Sequence, residues 1–408
     1  MYVIIYYMSF FKGLFSGGKK SHHVLVVDVG SGSIGAALVR LDHGVEPFIV
    51  ATSRETIPFQ EKLNVQRFVT LMQESLDKAT DGVMKEHAEI IPTEVFFALA
   101  SPWNTSQTRL VHLDQPDDFL ITEKGFRQII DKESALFTTT PFDPSGPKEL
   151  LKNILIESRA MQVKLNGYEV AAPIGRKAQE LDIALYLSVM PERIRDSFVQ
   201  TTTRRWPHIT PHFHSFMFAA FNAVRDTFAE SASFIIVDVA GEVTDVALVR
   251  DNVLLESLSF PLGYHAITRM TMRELGLQNA AAISEVQLYL EGKSDAGRTK
   301  EMEEIFAKAI REWKLLFIGA LTQLSEQYPI PHVIYHFVDE DYVVHYGDAL
   351  RESADRVFGE DQGEFDVHSL DEEFLLRFMK LEEGQRADIF LCVIIMILEK
   401  LLNADVKG

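Results

Sequence analysis

A single cysteine, Cys392, is all that 408 residues carry. One thiol closes no intrachain disulfide, which favours a reducing compartment. Positive charge is scarce as well: 40 Lys and Arg stand against 59 Asp and Glu. Nucleic acid needs a basic stripe, and none is visible, so no nucleic-acid partner is expected. No apolar run reaches the ~20 residues that a membrane-spanning helix needs. The amino terminus has no basic residue ahead of its apolar stretch and no small-residue cleavage site behind it, so it is not a secretory signal. Gly-x-Ser-x-Gly does not occur in Gly30-Ser31-Gly32-Ser33-Ile34-Gly35, which removes the nucleophile elbow. His208, His212 and His214 lie between and beyond Pro207 and Pro211, which points to an irregular connection rather than to a zinc site.

What the chain does have is one design used twice. The first copy runs Val24-Leu25-Val26-Val27-Asp28-Val29-Gly30-Ser31-Gly32-Ser33 and then Ile34 to Val39. The second runs Phe234-Ile235-Ile236-Val237-Asp238-Val239-Ala240-Gly241-Glu242-Val243-Thr244 and then Asp245 to Val249. In each, apolar β-formers lead to Asp-Val, a small glycine-bearing turn and a second apolar run. Such a hairpin tip can bring backbone N–H groups close to a phosphate. Two of them facing each other make a nucleotide clamp between two domains.

The rest of the chain alternates in the manner of mixed sheets covered by helices. Val65 to Glu86 reads as an amphipathic helix and Glu94 to Ala100 as a strand. From Trp103 to Arg195 a smaller unit is expected. It has a strand at Thr108 to Leu113, a helix capped by Thr122, a turn-rich linker at Thr138 to Pro147, and an Asn166-Gly167 hairpin. Asp182 to Met190 follows as a strand and Glu192 to Arg204 as a helix. In the second half, Leu254 to Phe260 is a strand and Ala266 to Leu275 a helix. Helices then dominate from Ala280 to Glu326, and Val333 to Val338 is a strand. The last helix, Ile389 to Leu402, is apolar nearly all round, so burial against a sheet is its expected fate.

The leader has a character of its own. Phe10, Phe11, Leu14 and Phe15 would share one helical face, with Lys19 and Lys20 just behind. That pattern suits an interfacial anchor on an acidic membrane surface, jointed to the folded body at Gly17-Gly18.

The two hairpins, their order and their spacing resemble the actin-like ATPase superfamily, and within it the bacterial FtsA and PilM families. The Ile121-Thr122 helix, the Gly167-Tyr168 hairpin and Pro173-Ile174-Gly175 are similar to the inserted IC (SHS2) domain of those two families. Phe260-Pro261-Leu262-Gly263-Tyr264-His265-Ala266-Ile267-Thr268 resembles their opening of subdomain IIB. The resemblance implies an α/β, actin-like (ribonuclease H-like) two-domain fold with an inserted small α+β IC module. The implied division is a leader at 1–21, subdomain IA at 22–102, the IC insertion at 103–195 and the second part of IA at 196–230. Subdomain IIA follows at 231–265, IIB at 266–330, the rest of IIA at 331–385, and a final IA helix at 386–408.

The same resemblance implies ATP and Mg²⁺ as cofactors. Gly30, Ser31, Gly32 and Ser33 would form the first phosphate loop, and Ala240, Gly241, Glu242 and Val243 the second, followed by Thr244. Gly263 and Glu285 would flank the nucleotide from IIB. Asp28 and Asp238 would hold the metal, a hard cation that prefers oxygen. Several residues depart from the pattern, however. Asp339-Glu340-Asp341 follow the late strand where relatives have paired glycines. Leu288 stands where a lysine is expected, Tyr264 replaces a glycine, and Glu242 adds negative charge beside the second loop. Side chains in place of glycine occlude the base and ribose, and acids repel a polyphosphate. ATP binding is therefore expected to be weak or absent, with ATPase activity weaker still.

These readings point to an FtsA-like, membrane-associated scaffold, cytoplasmic and peripheral on the inner face of the plasma membrane. Its partners would be a division-ring protein, the lipid surface through the leader, and further copies of itself in a polymer. The alternatives are a PilM-like pilus-assembly adaptor that binds a partner peptide at the IC module, and a phosphotransferase of the same superfamily.

Overall fold

The computed structural model describes residues 22–42, 44–139, 152–228, 231–353, 357, 363–370, 375–386 and 388–405, with backbone only from 399 onward. Phe10, Phe11, Leu14 and Phe15 lie outside the described residues, as does most of the Thr138 to Pro147 linker. The chain begins with β1 (His22–Val29), β2 (Ser33–Leu41), β3 (Phe48–Thr56), α1 (Val65–Met84) and β4 (Glu94–Leu99). A smaller unit follows, made of β5 (Thr105–Leu120), α2 (Glu123–Thr138), β6 (Asn153–Leu165), β7 (Tyr168–Glu169) and β8 (Lys177–Pro191). Then come α3 (Glu192–Arg205), β9 (His212–Ser215) and α4 (Phe216–Thr227). The second half holds β10 (Phe234–Val239), β11 (Thr244–Arg250), β12 (Val253–Phe260), α5 (His265–Leu275), α6 (Asn279–Leu290) and α7 (Ala296–Ser325). It closes with β13 (Val333–Val338), α8 (Val343–Arg351), β14 (Asp366–Ser369), β15 (Lys380–Leu381) and α9 (Ile389–Asp405).

The duplication read in the two hairpins extends to whole sheets. β1 pairs antiparallel with β2 and parallel with β4, as β10 does with β11 and β13. The strand orders β3-β2-β1-β4-β9 and β12-β11-β10-β13-β14 are the same arrangement, and β15 adds to the edge of the first sheet. Side chains alternate across each strand. Val24 and Val26 therefore join Phe234 and Ile236 in one core with α4 and α9, whereas Leu25, Val27 and Val29 pack against α1 and α3. Ile235, Val237 and Val239 face α5, α7 and α8. Strands buried on both faces need near-continuous apolar runs, which is why β1 and β10 are so conspicuous in the sequence. The final helix is buried as expected, with Leu391, Cys392, Ile395 and Leu398 almost fully covered.

The smaller unit is a four-stranded sheet of order β5-β8-β6-β7. α2 lies on one face, its Phe126, Ile130 and Phe137 packing on Ile183, Leu185 and Leu187. Thr122 caps that helix by accepting from the Gly125 N–H at 3.1 Å. Asn166 and Gly167 take φ of 50° and 79°, the left-handed pair that a two-residue hairpin favours. The segment around the histidines differs from expectation. It is not irregular throughout: His212–Ser215 is a strand that extends the first sheet beside β4. Its histidines pair with separate carboxylates, His212 with Glu94 at 2.8 Å and His214 with Glu157 at 3.0 Å. Among the described residues no helix is long and apolar enough to cross a membrane.

Candidate functional site

The two hairpin tips meet. Each is closed by the same bond, Gly30 N–H to the Ser33 carbonyl at 3.1 Å and Ala240 N–H to the Val243 carbonyl at 3.0 Å. Ser31 Oγ accepts from the Glu242 N–H across the gap at 2.9 Å. The backbones are so close that a Cβ on Gly241 would stand 2.6 Å from Gly32 Cα. The start of α5 is tied to the second tip, with Tyr264 N–H bonded to the Ala240 carbonyl at 3.1 Å and His265 N–H to the Gly241 carbonyl at 2.9 Å. Gly263 permits this approach, because any side chain there would strike those carbonyls.

Behind the tips opens a cleft of about 800 Å³ between the two sheets. Of the residues expected to hold a nucleotide or metal, Asp28, Gly30, Gly32, Ser33, Asp238 and Gly241 line it. The other four do not. Ser31 is fully buried in its bond to the opposite tip. Thr244 is fully buried too, donating to the Leu262 carbonyl at 2.7 Å and accepting from Trp313 Nε1 at 2.8 Å. Gly263 backs the second turn, and Glu285 on α6 pairs with Arg298 of α7 at 3.2 Å. Glu242 turns its charge away from the cleft. Its carboxylate accepts from His265 Nδ1 at 2.9 Å and Arg269 Nη2 at 2.8 Å. Burial alone would push Glu242 up, but these two partners outweigh it and hold the carboxyl below its usual range. Arg269 also donates to the Gln60 carbonyl of the other domain at 3.0 Å, so this cluster fastens the halves together.

Arg54 on β3 is a cleft residue that no local sequence pattern marks. Its Nη2 contacts Asp28 Oδ2 at 2.8 Å, its Nη1 donates to Ser33 Oγ at 2.7 Å, and Nη2 also reaches Asp388 Oδ1 at 2.9 Å. Even with this partner, burial leaves the Asp28 carboxyl raised to about 6. Burial, then the nearby Asp245 and Asp28, push Asp238 well above the usual carboxylate range, and its Oδ1 has no hydrogen-bond partner. On the far wall Tyr264 lies against Gly32 and stacks on Tyr342 with ring centroids 4.9 Å apart. Asp339, Glu340 and Asp341 line the same wall, and burial raises Asp339. Among the described residues no group of three or more His, Cys, Asp or Glu is placed to hold a metal ion.

No protein-family model matches the sequence, and no curated protein matches it. Solved structures do. A chain of the PilM–PilN type IV pilus biogenesis complex superposes with a TM-score of 0.62 at 13% identity, over 93% of this chain and 98% of that one. Two others superpose more loosely. The MamK double helical filament has a TM-score of 0.47 at 9% identity, over 93% and 99% of the two chains. The ethanolamine utilization protein EutJ from Carboxydothermus hydrogenoformans has 0.45 at 10% identity, over 93% and 92%. With its paired sheets, its apposed hairpin tips and a superposition that spans nearly the full length of both chains, the protein has the actin-like ATPase fold.

Proposed function

We propose that this chain is an actin-like scaffold or adaptor that acts by holding partners and not by transferring phosphate. The observation that carries this reading is that the protein's own groups take up the end of the cleft beside the hairpin tips, where phosphates would sit. Arg54 occupies the Asp28 carboxylate, the hairpin tips touch, and Tyr264 fills the space against Gly32. A polyphosphate with Mg²⁺ would have to displace Arg54 from Asp28 and Tyr264 from Gly32, so the residues at this end of the cleft do not fit it. Calorimetric titration with ATP and Mg²⁺ is expected to give no binding at micromolar concentrations. A dissociation constant in the micromolar range or below would overturn the reading.

Between the two families that the sequence resembles, we favour the pilus-adaptor kind. The chain superposed over 98% of its length comes from a PilM–PilN complex. A groove of about 650 Å³ lies between α1 and α3, beside Lys152 just ahead of β6 of the four-stranded unit. It offers Val65, Val69 and Ile194 alongside Gln73, Ser197 and Gln200, a mixed lining suited to a short peptide. The division-ring tether is the second reading, and the leader favours a membrane surface under either. Co-sedimentation with anionic vesicles is expected to fall at least ~10-fold when Phe10→Asp and Phe11→Asp are combined, because an interfacial helix binds through its apolar face. Unchanged sedimentation would remove the leader as the anchor.

A further inference from the structure

We infer that the Arg54 guanidinium is a built-in replacement for the divalent cation that the family resemblance implies for this cleft, joining by charge segments from three parts of the chain. The inference rests on the nucleotide-free reading above and adds to it the group that stands in the cation's place. A cation in such a cleft collects oxygens from separate parts of the chain. Arg54 does the same with the fixed fork of its N–H donors. It holds Asp28 from β1 at 2.8 Å, Ser33 Oγ from the start of β2 at 2.7 Å, and both carboxylate oxygens of Asp388, the residue just before α9. Charge-assisted bonds of this kind are the strong ones.

The surroundings are built to receive the group. Arg54 lies opposite Gly35 in the β2–β3 register, and a Cβ at Gly35 would run into the guanidinium nitrogen. The Phe390 ring lies 5.4 Å from the guanidinium carbon, within reach of a cation–π contact. Asp388 has a second task, since its Oδ1 accepts from the Leu391 N–H at 3.0 Å and so caps α9. Arg54 therefore ties the last helix to the first hairpin. That helix packs in the core shared by both sheets, so the tie acts on the cleft as a whole.

If the guanidinium stands in for a metal, removing it should uncover a site that takes a cation. The test is thermal melting of the full chain in three forms, wild type, Arg54→Ala and Arg54→Gln. The added probes are magnesium chloride or guanidinium chloride at about 5 mM, matched with sodium chloride because salt alone screens charge. Wild type should not respond to either cation. Arg54→Ala should melt roughly 5 °C lower, since it strands two carboxylates. Mg²⁺ or free guanidinium should restore a large part of that loss. Arg54→Gln keeps a donor and most of the volume without the charge, so it should fold if the alanine variant does not, and it should respond to Mg²⁺. A wild-type melting point raised by Mg²⁺ alone, or a folded Arg54 variant indifferent to both cations, would overturn the inference. The second result, paired with no ATP binding in calorimetry, sinks the cation replacement and leaves the adaptor reading standing.

Discussion

Gly241→Ala should destabilise the protein by about 2–3 kcal/mol, and Gly241→Val should leave little that folds. The added Cβ would stand 2.6 Å from Gly32 Cα, 2.9 Å from Gly32 N and 3.0 Å from His265 Cε1. The first two are backbone atoms at the tip of the opposite hairpin, so no rotamer change relieves the contact. Either the tips part or the chain distorts. Parting would also break the Glu242 N–H bond to Ser31 Oγ, which is fully buried. Gly319 supplies the contrast. It lies within α7, and nothing stands within 4 Å of a Cβ built there. Gly319→Ala should therefore stabilise by about 0.5–1 kcal/mol, because glycine carries an entropy cost in a helix. The same chemical change thus has opposite sign at two sites, and paired urea melts would show it. A Gly241→Ala protein as stable as wild type would mean that the tips are apart in solution.

The hairpins were legible because both physical signals were local. A strand buried on two faces must be continuously apolar, and a tip that touches another backbone must be small. The buried last helix was legible for the same reason, as an apolar run with no polar face. What the sequence hid is whatever depends on register between distant segments. Arg54 is one charged residue in a strand, and its partner Asp388 comes from the other end of the chain. The one trace of the pair is Gly35, whose missing side chain matters only once β2 and β3 are aligned. Glu242 shows the same limit. Its charge is plain in the sequence, but its direction is set by His265 and Arg269 on α5. β9 was obscured by prolines on either side of His208, although a strand at a sheet edge needs only four residues, His212–Ser215. Thr244 stood next to the expected phosphate loop, and only the position of Trp313 on α7 reveals that its hydroxyl is already committed.

His336→Gln should flatten the fall in stability on acidification. His336 lies on β13 opposite Val237, is 2% exposed, and has an Nδ1 with no hydrogen-bond partner. Burial, with a smaller contribution from Arg351, pushes its imidazole down to about 4. An unfolded chain returns it to about 6.5. Between those values the unfolded state binds the extra proton and the folded state does not, so stability drops as pH falls from 6.5 toward 4. The full loss is about 3 kcal/mol, a large part of the stability of an ordinary domain. Asp28 acts in the opposite direction. Its folded value is raised to about 6, so its contribution grows as pH falls through that point. The two partly cancel in wild type, and the raw pH profile therefore understates both. Subtracting the glutamine variant's profile isolates the histidine, because the amide does not titrate and the Asp28 contribution is common to both proteins. The difference should be flat above pH 6.5 and widen steadily below it. Parallel profiles down to pH 4 would mean that His336 accepts a proton in the folded protein, and that β13 is not sealed against water where it runs beside β10 at the floor of the cleft.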